Sequence, residues 1–384
     1  MHVALLYGGR SSEHNVSIKS AQNIYTILKK LGHAVLPIGI SLSGTFHLQE
    51  DKPIQETIDQ RQNVTVLPGL GFSCNNNLLP IEVAFPVTHG MGGEDGNLQG
   101  LCFLAQIPLC GCDTVSSALG MHKELAQQLF ASAGIPTVPT LSLNANAIAW
   151  LKEVEGASLP AFLGEHFFCS TCTTRIEIAL PRILKQLGPS LLVKPENSGS
   201  SVGVTALKTP TGETLLSAIA YAAKFSECVL LQRLIEPMVE IECAVLTTQD
   251  KGLLVAGPGL VIDPAKQNAG FLTYAHKYGQ IDTAHMQIPS TLDGETEKTI
   301  RDYAKKAFLS IKGDGYARVD FFFSDGLLYI NEINTLPGMT ATSHYPVLMQ
   351  SCGYSLEQVV QTLLDHTILR AQEEKGRTYV PPGI

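Results

Sequence analysis

Arg318-Val319-Asp320-Phe321-Phe322-Phe323-Ser324-Asp325-Gly326-Leu327-Leu328-Tyr329-Ile330-Asn331-Glu332-Ile333-Asn334-Thr335-Leu336-Pro337-Gly338 reads as two strands joined at Asp325-Gly326. Side chains alternate along a strand, so Arg318 and Asp320 share one face of the first strand, and Glu332 and Asn334 share one face of the second. Whether those faces coincide depends on the turn. A two-residue Asp325-Gly326 turn sets Asp320 opposite Asn331. A three-residue Ser324-Asp325-Gly326 loop with Gly326 left-handed sets it opposite Ile330 and unites the acids. The three-residue loop is the expectation, because it also gathers Val319, Phe321, Phe323, Leu327, Tyr329 and Ile333 on one apolar face, with Asn331 the exception. Asp320, Glu332 and Asn334 then offer hard oxygen donors beside a guanidinium, which suits Mg²⁺ and the phosphates that complete its shell. An Asp/Glu pair on a hairpin is ordinarily a solvated, ion-paired surface. The apolar back face and the Asn-Thr-Leu-Pro-Gly exit favour a site.

At 384 residues the chain exceeds one ordinary core, and two or three domains are expected. Hydrophobic residues make up 45%, charged residues 16%, and the 34 glycines are scattered, which describes a loop-rich globular α/β protein. A net charge of −8 gives no electrostatic reason to expect nucleic acid as a partner. Met1 to Gly9 reads as a buried first strand and not as a signal peptide, and no run approaches membrane-spanning length. Nine cysteines at irregular positions read as reduced thiols. The expectation is therefore a cytoplasmic enzyme away from membranes. Cys169 and Cys172 have a metal-like spacing, but two further zinc ligands are not evident.

The first hundred residues alternate strand and helix. Strands near 3–7, 34–40 and 82–87 and a helix near 16–31 predict a parallel sheet with binding loops at the strand C-terminal ends. Two such loops are polar, Gly8-Gly9-Arg10-Ser11-Ser12-Glu13-His14 and His89-Gly90-Met91-Gly92-Gly93-Glu94-Asp95-Gly96. A helix from Lys123 ends at Gly134. Residues 143–189 carry no clear pattern, and about 161–182 reads as an insertion without chemistry. Strands follow near 191–194, 229–232, 241–246 and 259–262, with helices near 212–225 and 293–311. The expected units are 1–121, 122–232 and 233–384. Lys194 before Ser198-Gly199-Ser200-Ser201 offers a phosphate lid, since small residues let backbone N–H groups approach phosphate oxygens while the lysine supplies charge. It is not a Walker loop, and no Gly-x-Gly-x-x-Gly follows the first strand.

The ordered set Gly8-Gly9 with Ser11 and Glu13-His14, then His89-Gly90 with Gly93-Glu94-Asp95-Gly96 and Gln99-Gly100, then Lys194-Pro195 with Gly199 to Val204, then the opening hairpin, resembles D-alanine:D-alanine ligases over nearly the whole chain. That resemblance implies an ATP-grasp fold, α/β with α+β elements in its ATP-binding part and an N-terminal parallel-sheet domain. It implies ATP-driven joining of two D-alanines through an acyl phosphate, for peptidoglycan precursor synthesis, by a homodimer.

By position, the resemblance implies that Asp320, Glu332 and Asn334 hold two Mg²⁺ ions, replaceable by Mn²⁺. ATP would meet Lys123, Lys194, Ser200, Ser201, Gln232, Lys277 and a ribose glutamate, Glu240 with Glu242 as rival. Glu13 and His89 fall on the first D-alanine, Arg318 and Gly338 on the oxyanion, and Ser343 and His344 on the second substrate. Lys277-Tyr278 matches a mobile-loop pair, with Tyr278 reaching toward Ser200 and Glu13. His344 stands where leucine or methionine is common, and ester-forming relatives that join D-lactate can carry a basic residue there. They lack the Lys-Tyr pair, so amide formation is favoured. Gln232 replaces a glutamate at the adenine edge, His122 an aspartate before Lys123, and Asn15 an acidic residue. The base that deprotonates the second amine is not evident.

Overall fold

The computed structural model describes residues 1–144, 170–199, 201–250, 252–262 and 285–377. β1 (His2–Gly8) is buried from Val3 through Tyr7, as a strand covered on both faces requires. α1 (His14–Lys30) lays Ile18, Ala21, Ile24, Tyr25 and Leu28 inward, and Gly32, at φ +80°, reverses the chain. β2 (Ala34–Ile40) runs parallel to β1, and β3 (Phe46–Leu48) antiparallel to β2. β4 (Val64–Leu67), β5 (Gly71–Cys74) and β6 (Asn77–Leu78) form a small separate sheet, which simple strand–helix alternation does not anticipate. β7 (Val83–Pro86) returns parallel to β1 on its other side, giving the order β3-β2-β1-β7. The chain thus changes direction across β1, and the loops after β1 and β7 flank the crevice such a switch point creates.

α2 (Asn97–Leu104), α3 (Thr114–Met121) and α4 (Lys123–Ser132) follow; Asp113 caps α3 by accepting from Ser116 N–H. β8 (Thr140–Leu143), α5 (Ser170–Leu187), β9 (Leu191–Pro195), β10 (Thr205–Leu207), α6 (Gly212–Ala222) and β11 (Val229–Arg233) build a second, antiparallel sheet in the order β10-β9-β11-β8. α5 corrects the reading of 161–182 as an insertion, at least from Ile176 onward. Ile176, Ile183 and Leu187 are a buried helical stripe packed with Leu215, Ile219, Val193 and Leu231. Pro181, on the exposed face of this helix, obscures the pattern in sequence.

β12 (Val239–Thr247), β13 (Leu253–Ile262), β14 (His285–Gln287), α7 (Gly294–Ser310), β15 (Tyr316–Ser324) and β16 (Leu327–Asn334) give a third sheet, ordered β14-β13-β12-β15-β16. α7 is capped by the Asp293 carboxylate on Glu295 and Thr296 N–H, and packs Ile300, Ala304 and Phe308 against Val245, Val319, Phe321, Ile330 and Ile333. α8 (His344–Ser351) and α9 (Leu356–Lys375) bring Leu348, Met349 and Leu363 into one continuous core with Val3, Leu5 and Phe85 of the first sheet. An ion-pair knot reinforces that junction. Asp314 receives bonds from His366 Nε2 and Arg370 Nη1, both at 2.6 Å, while Arg370 also donates to the Leu109 and Gly111 carbonyls. Burial opposes its ionisation, yet these partners hold the Asp314 carboxyl well below the usual carboxylate range.

The hairpin departs from the sequence expectation. Ser324 pairs with Leu327, Phe323 with Leu328, Phe322 with Tyr329 and Phe321 with Ile330, so the turn is the two-residue Asp325-Gly326 form, not the three-residue loop. Asp325 at φ +50° and Gly326 at φ +78° supply the left-handed pair that matches strand twist. The acids still meet, because the ladder slips by one residue between Asp320 and Phe321. Asp320 then pairs with Glu332, and Arg318 with Asn334. Asn331 is the extra residue of this bulge, and its carbonyl accepts from Gln127 Nε2 at 3.4 Å. The apolar face changes accordingly: Leu328 and Ile330 join Phe321 and Phe323 in the core cluster, while Leu327 is exposed and Tyr329 pairs with Phe322 instead.

A Cβ at Gly326 would enter open space, so Gly326→Ala meets only the backbone penalty of its positive φ. Denaturant unfolding should show a loss of about 1 kcal/mol. Unchanged stability would contradict the left-handed turn.

Candidate active site

A cleft of about 230 Å³ opens between the loops after β1 and β7 and the exit of β16, lined by Glu13, His89, Glu94, Lys123, Gly199, Arg318, Glu332, Asn334 and Gly338. A second, of about 110 Å³, shares Lys123, Gly199 and Glu332 with it and runs past Lys194, Ser201, Gln232, Glu240 and Phe322. The two are contiguous at the bulged hairpin.

Arg318 grips Asp320 with both arms, Nε to Oδ1 and Nη2 to Oδ2 at 2.7 Å each, and its Nε lies 3.1 Å from Glu242 Oε2. Burial disfavours its charge, but Asp320 and Glu242 outweigh that and hold Arg318 firmly ionised. Asp320 is pushed up to about 6 by burial, with Glu242 and Glu332 adding to the rise and Arg318 opposing it. Asn334 Nδ2 donates to Asp320 Oδ2 at 3.0 Å. Lys123 Nζ donates to the Ser198 carbonyl at 2.9 Å and lies 3.5 Å from Glu332 Oε2, tying the Gly/Ser-rich loop to the hairpin. Among the described residues no three His, Cys, Asp or Glu side chains form a metal cluster, so a cation here would need an amide oxygen beside the two acids. Asp320 and Glu332 face each other across the ladder and Asn334 adjoins them. This crowded, oxygen-only set fits a hard divalent cation that would offset its negative charge.

The wall from Leu336 to Met339 is held by groups far away in sequence. His89 is buried, its Nδ1 3.0 Å from the Leu336 carbonyl and its Nε2 3.2 Å from Ser20 Oγ. A carbonyl only accepts, so Nδ1 carries the proton and Nε2 accepts from Ser20. Burial, the largest influence, lowers the His89 pKa and keeps the ring neutral. Ser20 Oγ also accepts from Met339 N–H at 3.4 Å, and Asn23 Nδ2 donates to the Met339 carbonyl at 2.7 Å. Glu94 accepts from Gly90 N–H at 2.8 Å and Leu336 N–H at 3.3 Å. Burial and then the charge of Glu13 push it up to about 8. Ser20, Asn23 and Glu94 have no role in the sequence reading. Glu94 is signalled there only by its place in a polar loop after a strand and in the ordered set behind the resemblance, and Ser20 and Asn23 look like ordinary helix positions.

Glycine is needed where the backbone crowds Glu13. A Cβ on Gly90, at φ +72°, would sit 2.9 Å from Glu13 Oε2, and one on Gly199 would sit 3.0 Å from it. At Gly338 a Cβ would lie 2.8 Å from Ser343 Oγ, which bonds to Thr340 Oγ1 at 2.7 Å and accepts from Thr340 N–H at 3.1 Å. His344 Nδ1 lies 3.0 Å from Glu242 Oε2. Of the two candidate ribose glutamates, Glu240 lines the second cleft, whereas Glu242, one strand repeat along, turns to Arg318 and His344. Lys194 is buried beside Lys123. Ser200, Lys277, Tyr278 and Cys169 lie outside the described residues.

Two family models match, described as "D-ala D-ala ligase N-terminus" over residues 2–112 and "D-ala D-ala ligase C-terminus" over 166–365. The chain is 34% identical to a D-alanine--D-alanine ligase of Shouchella clausii, covering 97% of this chain and 96% of that protein. It is 34% identical to D-alanine--D-alanine ligase A of Chromobacterium violaceum, covering 98% and 96%. In three dimensions it is similar to the VanG D-Ala:D-Ser ligase from Enterococcus faecalis, with TM-score 0.76 and 29% identity over 95% of this chain and 99% of that one. It is also similar to the D-alanine-D-alanine ligase from Coxiella burnetii, with TM-score 0.75 and 26% identity over 98% and 97%.

Burial, then Lys123, pushes Lys194 from an ordinary 10.5 down to about 8, against the pull of Glu332. The cost of burying its charge is therefore full below pH 8 and fades as pH rises toward the unfolded value. A polyphosphate beside it restores the proton. Calorimetry of ATP binding in two buffers of different ionisation enthalpy should show uptake of about half a proton or more at pH 8.5 and almost none at pH 7. The uptake should vanish in Lys194→Met; equal values at both pH would contradict the lowered pKa.

Proposed function

This chain belongs to the D-alanine–D-alanine ligase family, and we infer from that membership that it joins two D-alanines into D-alanyl-D-alanine with ATP as the driving substrate and ADP as a product, for peptidoglycan synthesis. The fold is the ATP-grasp fold of that family, of mixed α/β class. The observation that supports it best is the junction of the clefts. Lys123, Gly199 and Glu332 belong to both, so phosphates held in one would end where Glu13, Arg318 and Gly338 line the other.

On this reading, Lys123 and Lys194 hold the phosphates under the loop that contains Ser200 and Ser201, with Gln232 on the base and Glu240 on the ribose. Glu13 receives the ammonium of the first D-alanine, and His89 shapes the wall beside it. The carboxylate of that substrate attacks the γ-phosphate to give an acyl phosphate and ADP. Asp320, Glu332 and Asn334 would hold the family's magnesium, as two ions replaceable by manganese, which offsets phosphate charge when bound. The second amine then attacks the acyl carbon and expels phosphate. Arg318 and Gly338 N–H stabilise the oxyanion, and loss of one such donor costs roughly 3 kcal/mol of barrier. Ser343 and His344 face the second substrate. Lys277 and Tyr278 close the site over the hydrolysable intermediate.

The division at 121 and 232 is supported by the sheets, each of which lies within one unit apart from Arg233 at the end of β11. No helix of the described residues is long and apolar enough to cross a membrane. A cytoplasmic homodimer is the accompanying proposal. One observation favours a second reading, in which D-lactate or another D-acid is the second substrate: His344 places an ionisable ring against Glu242, beside Arg318.

Asp320→Asn and Glu332→Gln should each reduce ADP release with D-alanine by about a hundredfold or more; near-normal turnover in either would exclude these acids as metal holders. In competition between D-alanine, D-serine and D-lactate across pH, D-alanine should win near neutrality. Predominant ester product there would overturn amide formation.

A further inference from the structure

The second cleft is polar at one end and apolar at the other. Lys123 and Lys194 mark the phosphate end, and Leu192, Ile235, Met238 and Phe322 form walls suited to a flat base. Gln232, almost fully buried at 1% exposure, presents a side-chain amide there. An amide offers a donor on one side and an acceptor on the other, so its orientation decides which base it accepts.

That orientation follows from a one-way chain of hydrogen bonds. Thr140 and Gln232 are directly opposite each other across β8 and β11, and Gln232 Nε2 lies 3.0 Å from Thr140 Oγ1. The Thr140 hydroxyl has one proton and two acceptors within reach, the Val138 carbonyl at 2.8 Å and Gln127 Oε1 at 3.3 Å. Gln127 is oriented in turn, because its Nε2 donates to the Asn331 carbonyl at 3.4 Å, and that carbonyl only accepts. The Thr140 proton is therefore committed elsewhere, and toward Gln232 the hydroxyl acts as acceptor. A flipped Gln232 would set oxygen against oxygen.

We propose that Thr140 determines the base selectivity of this cleft by locking the Gln232 amide with its oxygen toward the purine 6-position. The inference rests on the second cleft being the ATP site of the reading above. A 6-amino purine donates to that oxygen, whereas a 6-oxo purine meets it with a second acceptor and loses affinity by about tenfold or more. A carboxylate in place of Gln232 would need no such lock, since it carries no donor to turn toward the base. Thr140 thus acts as a positioning residue through Gln232. The bulge carbonyl of Asn331 anchors the far end of the chain, so base reading and acid alignment depend on the same irregularity.

The test compares ATP with ITP, which differ at the ring edge that Gln232 would read, by competition against a fluorescent ATP analogue on the full chain. Wild type should prefer ATP. Thr140→Val frees the amide to turn and should lower the ATP:ITP ratio about tenfold, mostly through tighter ITP binding. Thr140→Ser, which keeps the hydroxyl, should retain the wild-type ratio. Adding Gln232→Glu to Thr140→Val should restore preference for ATP, a rescue that mere loosening of the cleft would not produce. An unchanged ratio in Thr140→Val, or no restoration in the double variant, would overturn the proposal. ADP release with D-alanine is scored separately: its absence in wild type would refute the ligase reading, while the binding ratios would still judge Thr140.

Discussion

The alignment of two acids across one antiparallel ladder governs the centre of this molecule. A tight Asp-Gly turn is the connection that strand twist prefers, but in strict register it leaves Asp320 facing Asn331. The bulge at Asn331 absorbs one residue and brings Asp320 opposite Glu332 and Arg318 opposite Asn334. It also frees the Asn331 carbonyl from the ladder, and Gln127 on α4 takes it up. Near the same point, Ile330 N–H donates to the Pro136 carbonyl in the connection after α4. One local irregularity thus sets the acids and ties the hairpin to the second sheet's approach.

Charge balance is the second constraint. Arg318 stands between Asp320 and Glu242, and Lys123 stands beside Glu332. Burial of several carboxylates without these cations would carry a heavy desolvation penalty. Even with them, Asp320 and Glu94 hold their protons more tightly than ordinary carboxylates, and Lys194 holds its proton less tightly than an ordinary lysine. The two clefts therefore carry acids and bases whose charge depends on what lies beside them.

Much of the site was legible in the chain. Strand–helix alternation placed the polar loops after β1 and β7 at strand C-terminal ends, and Lys194 before a Gly/Ser loop marked residues that line the second cleft. The turn and the core face of β16 differ from the pattern that alternation gives, because alternation counts residues and a bulge breaks the count. α5 was hidden by an exposed proline in its middle. The supports of the wall at residues 336–339 were illegible for another reason. Ser20 and Asn23 lie more than three hundred residues from Met339, and nothing in their local pattern distinguishes them from other helix positions.

By itself, the sequence determined the chemistry available: which residues are acids, lysines and glycines, which strands are apolar enough to be buried, and in what order the polar loops occur. These are local properties, set by side-chain type and backbone period. The tertiary structure alone decided which groups meet. It set Glu240 in the second cleft and, one strand repeat along, Glu242 against Arg318 and His344, committed both nitrogens of His89 to holding a wall, and oriented Gln232 through Thr140. Each of these depends on register and on contacts between distant segments, and a shift of one residue along β12 would undo the first without changing the composition at all.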